Sequence, residues 1–452
     1  MLKRKIEKVL LEWKNKEDRK PLIVKGARQI GKTESIRLFA KENYENVVEI
    51  NFALQKKFRG VFDDGYEVDS IIRNITFQDP SLKFVPGKTL IFFDELQDQP
   101  DCATSLKSFK MNGEYDVICS GSMMGINYNK IESNSVGYKE DYEMQSMDFE
   151  EFLWATGHAT MMPIIQQAYQ KQVSVEPGLH RMIMDVFRQY LVVGGMPQVV
   201  RKFVETHDLK RVDVEKRDIL ELYRADIMKF GGASKHKILA IFNAIPGQLQ
   251  NHEQMFSPGA VKHGVGMRSF ESAFQWLESA MMVNLAYNAT EPNVGLELSS
   301  DHSALKCYMG DTGLMVSLSF SENDLIAGEI QQRILTGRLE RNLGMLWETV
   351  VAQMLRATGH RLFFHVNSDG QSSENRMEID FLISKTNLQR RHNIVPIEVK
   401  GTGEYETRSL DKFLRKYEPY LSDAYVIHTK NLQRGDQRVY LPVYMTQQVH
   451  LH

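Results

Sequence analysis

No stretch of the sequence approaches the roughly 18 consecutive apolar residues that a membrane-spanning helix requires. The N-terminus, MLKRKIEKVLLEWKNKEDRK, is basic but has no apolar core segment, so neither a signal peptide nor a membrane partner is expected. Cysteine is scarce. Cys102, Cys119 and Cys307 are the only three in 452 residues, and they stand in apolar or strand-like surroundings without metal-ligand spacing. That pattern argues against a zinc site or a disulfide framework and fits reduced core thiols in a cytoplasmic protein. An excess of one charge is also missing: 56 Lys+Arg face 58 Asp+Glu, a net charge of -2, so no whole-chain field advertises nucleic acid or membrane. Internal repeats and low-complexity segments are absent. What remains is an ordinary globular composition, long enough for about two to four domains.

Against that background one segment stands out, VKGARQIGKTESIRLF at residues 24–39. An apolar strand-like run, PLIVKG, meets a glycine, four variable residues, then Gly-Lys-Thr and a stretch of helical spacing. Backbone N–H groups in such a loop, together with the following helix N-terminus, converge on one anion, and a lysine adds a full positive charge. Gly26, Ala27, Arg28, Gln29, Ile30 and Gly31 are therefore expected to wrap a phosphate, with Glu34 at the start of the helix. Lys32 reaches the outer phosphates, and the Thr33 hydroxyl is a magnesium ligand. The expected cofactors are ATP and Mg2+. The helix places Ile36, Phe39 and Ala40 inward.

The second half of such a site is a carboxylate at the end of a neighbouring strand. KTLIFFDELQDQP at 88–100 supplies it: Leu90 to Phe93 are continuously apolar, as a strand buried on both faces requires. Asp94 is then expected in the magnesium shell, with Glu95 polarising the attacking water. A further run, YDVICSGSM, ends in Ser120 and Ser122. A hydroxyl there either senses the terminal phosphate or caps the next helix. Strands at about 22–26, 46–52, 89–94, 116–120 and 144–149, alternating with helical stretches, predict an α/β fold with a parallel sheet covered on both faces.

GARQIGKT, FFDELQ, CSGS and SMDFEEFL, in that order, resemble the phosphate loop, acidic strand, sensor strand and fifth strand of a family of bacterial and archaeal AAA-type P-loop ATPases that carry a C-terminal domain of unknown function. YLVVGGMPQVV at 190–200, YRADI at 223–227, CYMGDTGLM at 307–315, LGMLWETVV at 343–351 and EIDFLI with PIEVK between 378 and 400 resemble its later landmarks. The resemblance implies an ATPase domain over 1–160. A strand-poor helical connector is expected over 161–254, with Gly-Gly-Met-Pro at 194–197 as a fixed turn or a hinge. Helix, helix and short strands over 255–334 suit a winged-helix-like module. Its presumed second helix carries Glu271 and Glu278 and no arginine after Arg268, a poor surface for phosphates. Arg224 is a candidate phosphate-sensing arginine.

The last stretch, 335–452, holds a second constellation. RMEIDFLIS brings Asp380 on one strand, and NIVPIEVKG brings Glu398 and Lys400 to one side of another. Two carboxylates and a lysine can serve metal-assisted phosphodiester hydrolysis, and the order resembles a restriction-endonuclease-like α/β core, to which a helical Glu348 often adds. The alternative is the same fold without activity, its charges tied in a buried network, and Glu348 can equally be a solvated helix residue. The helix TRSLDKFLRKYEPY sets Leu410, Phe413, Leu414 and Tyr417 against Arg408, Lys412, Arg415 and Lys416, either a stripe that tracks phosphates or a solvated face. Three functions follow as expectations: an ATP-hydrolysing switch that engages a nucleic acid or protein partner, an ATP-regulated nuclease, or a protein-binding module that merely holds nucleotide.

Overall fold

A computed structural model of the chain describes residues 2–122, 135, 137–250, 255–260, 266–293, 295–320, 324–338, 344–367, 376–385, 393–401 and 405–449. Its first part runs α1 (Ile6–Lys14), β1 (Leu22–Lys25), α2 (Lys32–Asn43), β2 (Asn46–Asn51), α3 (Val68–Gln78), β3 (Thr89–Asp94), α4 (Asp101–Asn112), β4 (Asp116–Gly121) and β5 (Glu140–Glu143). The five strands form one sheet in the order β2-β3-β4-β1-β5, every pair parallel. Alternation along the strands divides the core in two. Val24, Phe92 and Ile118 face α1 and α2, while Ile23, Ile91, Phe93 and Val117 face α3 and α4. Because both faces are covered, the inner strands read as unbroken apolar runs.

The fifth strand is not at 144–149. It is Glu140–Glu143, an edge strand of alternating half-buried and exposed residues, whose EDYE sequence carries no apolar signal. The apolar residues of 149–153 belong instead to helix α5 (Phe149–Ala155). Asp148 accepts from the Glu151 N–H at 2.9 Å while Glu151 reaches back to the Asp148 N–H at 3.2 Å, a capping box that starts a helix where a strand was expected.

A helical layer follows: α6 (Met161–Lys171), α7 (Pro177–Val193), α8 (Pro197–Thr206), α9 (Leu209–Phe230), α10 (Lys235–Gln250) and α11 (Glu271–Ser279). Gly194 and Gly195 join α7 to α8 in a fixed turn. The Gly195 N–H donates to buried Asp311 at 2.7 Å, and the Gly195 carbonyl accepts from the Met147 N–H at 2.7 Å. A Cβ on Gly195 would stand 2.0 Å from the Met147 carbonyl oxygen, so this turn is closed to side chains.

The remainder comprises β6 (Val283–Ala289), β7 (Ser300–Met309), α12 (Thr312–Ser319), α13 (Asp324–Leu335), α14 (Gly344–Ala357), β8 (Leu362–Asn367), β9 (Met377–Ser384), β10 (Ile394–Lys400), α15 (Arg408–Tyr417), β11 (Ala424–His428), β12 (Gln433–Arg434) and β13 (Arg438–Pro442). The eight strands make a single mixed sheet in the order β12-β13-β11-β10-β9-β8-β6-β7. β6 and β7 were expected in a separate winged-helix-like module ending at 334. They pair instead with each other and, through the parallel β6–β8 ladder, with the C-terminal strands, so a boundary at 334/335 would cut a sheet. Helix α14 is buried from Met345 to Leu355, as its apolar surface on all sides requires, and packs against β6, β7, β8 and β10. Helix α15 covers the other face with Leu410, Phe413 and Leu414. All three cysteines are buried and unpaired. No helix among the described residues is long and apolar enough to cross a membrane.

Candidate functional site

The phosphate loop lies between β1 and α2, at the carboxyl edge of the five-stranded sheet, where ligands of open parallel sheets bind. Gly31, the N-cap of α2, has φ of 88°, a left-handed conformation that strains any side chain. At Gly26 a Cβ would meet Ile30 Cδ1 at 2.2 Å and the Met144 carbonyl oxygen at 2.5 Å; the loop folds back on itself there. Gln29 and Glu34 are exposed, Ala27 and Ile30 buried. Arg4, only 6% exposed, pins the loop from outside: it donates to the Ile30 carbonyl at 2.7 Å, the Gln145 carbonyl at 2.8 Å and Glu151 at 3.0 Å. Nothing local in the sequence marks this arginine.

Lys32 Nζ donates to the carbonyls of Gly26 at 3.0 Å and Ala27 at 2.8 Å, folded over the space its own loop encloses. Burial lowers its pKa to about 8; Glu95 and Asp94 pull it back up, and Arg28 adds to the lowering. Asp94, 3% exposed, ends β3. Its carboxylate accepts from Thr33 Oγ1 at 3.2 Å to both oxygens, from Asn51 Nδ2 at 2.8 Å, and from the Ser120 hydroxyl. Loop, acidic strand and sensor strand thus meet at one point. Ser122, also buried, lies just past the end of β4. Glu95 takes a left-handed conformation, φ 58° and ψ 53°, a cost of about 1–3 kcal/mol typical of functional positions, and its carboxylate is held by the Gln97 amide.

Two residues outside the sheet complete this edge, both within YRADI, a stretch marked by its resemblance and not by any chemistry expected of Tyr223 or Asp226. Asp226 on α9 binds Arg28 Nη1 at 2.6 Å, and the Tyr223 hydroxyl donates to the Arg28 carbonyl at 3.2 Å. On the loop's other flank a cavity of about 480 Å³ is lined by Leu2, Arg4, Gln29, Gly31, Glu34, Ser35, Leu38, Pro197, Gln198 and Arg201 among others. Arg201 is exposed and makes no ion pair among the described residues. Arg224, expected as the sensing arginine, is bound by Glu221 at 2.6 Å and Asn243 at 3.1 Å instead.

The C-terminal residues also gather, but with a different balance of charge. Lys400 Nζ lies 2.6 Å from Glu398 Oε1, so the lysine a nuclease would need beside its water points into an ion pair. Asp380 accepts from the Val399 N–H at 2.7 Å, its carboxylate turned onto the neighbouring strand. Glu348 is buried, not solvated, and accepts from the Tyr308 hydroxyl at 3.0 Å. Between them stands Lys306 of β7, fully buried, 2.8 Å from Glu378 and 4.0 Å from Glu348. Burial opposes its charge, but Glu348, Glu378 and Asp380 outweigh that and raise its pKa. Burial also raises Glu398 to about 7, against the pull of Lys400. The other Glu398 oxygen has no hydrogen-bond partner among the described residues. No group of three or more His, Cys, Asp or Glu among the described residues is placed to hold a metal ion.

Three family models match the chain. Residues 18–153 match one described as an AAA domain, residues 184–324 a domain of unknown function (DUF8612), and residues 343–446 another domain of unknown function (DUF4143). No curated protein matches. Among solved structures, the Walker-type ATPase PABY2304 of Pyrococcus abyssi is similar at 13% identity and a TM-score of 0.39, over 70% of this chain and 96% of that one. The Aeropyrum pernix ORC1 protein in complex with DNA shares 12% identity at a TM-score of 0.30, over 72% and 92%. The Thermotoga maritima RuvB Holliday junction branch migration motor shares 12% at 0.29, over 64% and 90%. A parallel five-stranded sheet, a glycine-bounded loop ending in Lys32 and Thr33, an acidic strand end facing it and the match over 18–153 together make that stretch of the chain an AAA-type P-loop domain.

Proposed function

We propose that the protein binds and hydrolyses ATP with magnesium, and that the nucleotide state is passed through α9 to the C-terminal part, which engages a macromolecular partner. The observation that carries the reading is Thr33 Oγ1 facing the Asp94 carboxylate at 3.2 Å beside Lys32. Oxygen donors, few carboxylates and an adjoining phosphate cradle suit Mg2+, which takes one or two protein oxygens and fills its shell with phosphate and water. Thr33 and Asp94 would hold it, and when bound it neutralises charge developing on the phosphates. Lys32 leaves the Gly26 and Ala27 carbonyls for phosphate oxygens, a charge-assisted exchange. The N–H groups of 26–33 and the α2 N-terminus hold the anion in place. Glu95, released from Gln97, orients water against the terminal phosphorus. The 480 Å³ cavity beside Gly31 and Ser35 receives the base and ribose, with Arg201 free to approach the phosphates.

A second reading of the C-terminal cluster, as a nuclease, finds less support than the inactive alternative. Two lysines are already engaged by its carboxylates, Lys306 by Glu378 and Glu348 and Lys400 by Glu398, and Asp380 spends one oxygen on the Val399 N–H. The test is ATP turnover measured with and without added DNA, RNA and cell extract, beside plasmid cleavage in magnesium and manganese. Turnover that rises with one additive and an intact plasmid are expected; robust cleavage abolished by Asp380→Ala would reverse the ranking.

The lowered pKa of Lys32 makes a further expectation. Phosphate contact returns the ammonium toward or above its ordinary 10.5. Below about pH 8 the lysine is charged with or without nucleotide; between 8 and 10.5 it is largely neutral in the empty site and charged in the complex. ATP binding therefore takes up close to one proton near pH 9 and almost none from this lysine at pH 7, which titration calorimetry in buffers of different ionisation enthalpy measures. Equal uptake at both pH values would contradict this.

A further inference from the structure

The ion pair between Arg28 and Asp226 joins two regions matched by different family models: the phosphate loop within 18–153 and helix α9 within 184–324. Its geometry is unequal at the two ends. Arg28 is about one quarter exposed, whereas Asp226 is 3% exposed and uses one carboxylate oxygen for Arg28; the other is buried without a hydrogen-bond partner among the described residues. Tyr223, one turn earlier and 2% exposed, adds a second bond to the same residue, its hydroxyl donating to the Arg28 carbonyl at 3.2 Å. Residues i and i+3 lie on one helix face, so a single face of α9 grips one residue of the loop twice. Glu95 stands near enough to push the Asp226 carboxyl further up, in addition to burial, while Arg28 and Lys229 pull it down. Arg28 is the third residue of the loop that runs from Gly26 to Lys32, inside the segment expected to wrap the phosphates.

Resting on the ATP reading above, we propose that Asp226 is a positioning residue that withholds Arg28 from the nucleotide, so that terminal phosphate and docked α9 compete for one guanidinium. A guanidinium can satisfy phosphate oxygens in a bidentate fork. When it does, Asp226 is left as a buried carboxylate without its counter-charge, beside a polyanion. The helix end must then move out or lose its hold. Diphosphate, lacking the group that reaches Arg28, leaves the pair closed. ATP and the docked state of α9 are therefore antagonistic, and the antagonism is reciprocal because both are equilibria of one molecule.

The experiment compares ATP and ADP affinity in magnesium buffer for the full-length wild type, Asp226→Asn, Asp226→Glu and Tyr223→Phe, with amide hydrogen exchange over 222–230. Asp226→Asn keeps the shape and removes the charge; it should bind ATP at least about fivefold more tightly, the lower end of ordinary coupling, with a smaller change for ADP. Asp226→Glu should restore the wild-type ratio of ATP to ADP affinity. In the wild type, ATP but not ADP should speed exchange over 222–230. If Asp226→Asn does not fold, Tyr223→Phe, which removes the second bond alone, should still shift the ATP to ADP ratio in the same direction. Unchanged ATP affinity in folded Asp226→Asn, or exchange over 222–230 indifferent to ATP, overturns the proposal while leaving the ATP site intact. A wild type that binds no ATP removes the nucleotide reading and this one with it.

Discussion

Lys32→Ala is expected to abolish measurable ATP binding, and Glu95→Gln to retain binding while slowing turnover by about 10²–10⁴-fold. The two effects separate because the residues act on different parts of the reaction. Lys32 is the cation of the loop, and each charge-assisted hydrogen bond it would give a phosphate is worth about 1.5–3 kcal/mol. Among the described residues Glu95 makes no hydrogen bond to the backbone of the loop; its carboxylate is held by Gln97. Its left-handed backbone holds the carboxylate at the sheet edge, and glutamine preserves that shape while losing the charge that draws a proton from water. Calorimetry and phosphate release measure the pair. Equal ATP affinity in wild type and Lys32→Ala would end the ATP reading.

The second large effect is on stability. Lys306→Met should destabilise the chain by about 3–5 kcal/mol, the range for removing one partner of a buried ion pair. Methionine fills much of the same volume, so the loss is not chiefly a cavity. It comes from leaving buried Glu348, and Glu378 at the cluster's edge, without the ammonium between them. The measurement is the denaturant midpoint, with Glu378→Gln as the milder comparison because that carboxylate is partly exposed and water can take up the slack. A Lys306→Met protein as stable as wild type would show that the ammonium does not neutralise the cluster. In that event the C-terminal carboxylates would regain standing as a metal site.

The nucleotide site was legible because its physics is local. Glycine where φ is positive, lysine and threonine at a helix start, and an acidic residue after an apolar strand all fall within short windows, and the buried middle strands announce themselves by unbroken hydrophobicity. The edge strand at 140–143 had no such signal, being polar on its exposed side, and the Asp148 and Glu151 spacing that starts α5 was outweighed by the surrounding methionines and phenylalanines. Long-range partners left even less trace. Tyr223 and Asp226 lie on one helix face, but nothing in the helix says that the face meets Arg28. Lys306 lies between Leu305 and Cys307 and opposite to them in the alternation of β7; a lysine on the buried side of a strand was the available hint that carboxylates wait there. The distribution of β6 and β7 into the C-terminal sheet depends on a ladder to β8 across an intervening helical stretch, which no periodicity within either segment can specify.

That ladder has a consequence for how the chain is made. On the ribosome β6 and β7 emerge as a hairpin well before β8, and at about 5–20 residues per second the interval between Ala289 and Leu362 lasts on the order of 4–15 s. Throughout it the free edge of β6 is a ready template for any other extended chain. Helix α14, which covers these strands, is also made in that interval, before its full complement of strands exists. The newborn protein therefore passes through a period in which its carboxyl half is an open sheet, and crowding of nascent chains, or a ribosome stalled between 289 and 362, should raise aggregation more than the same delay placed elsewhere.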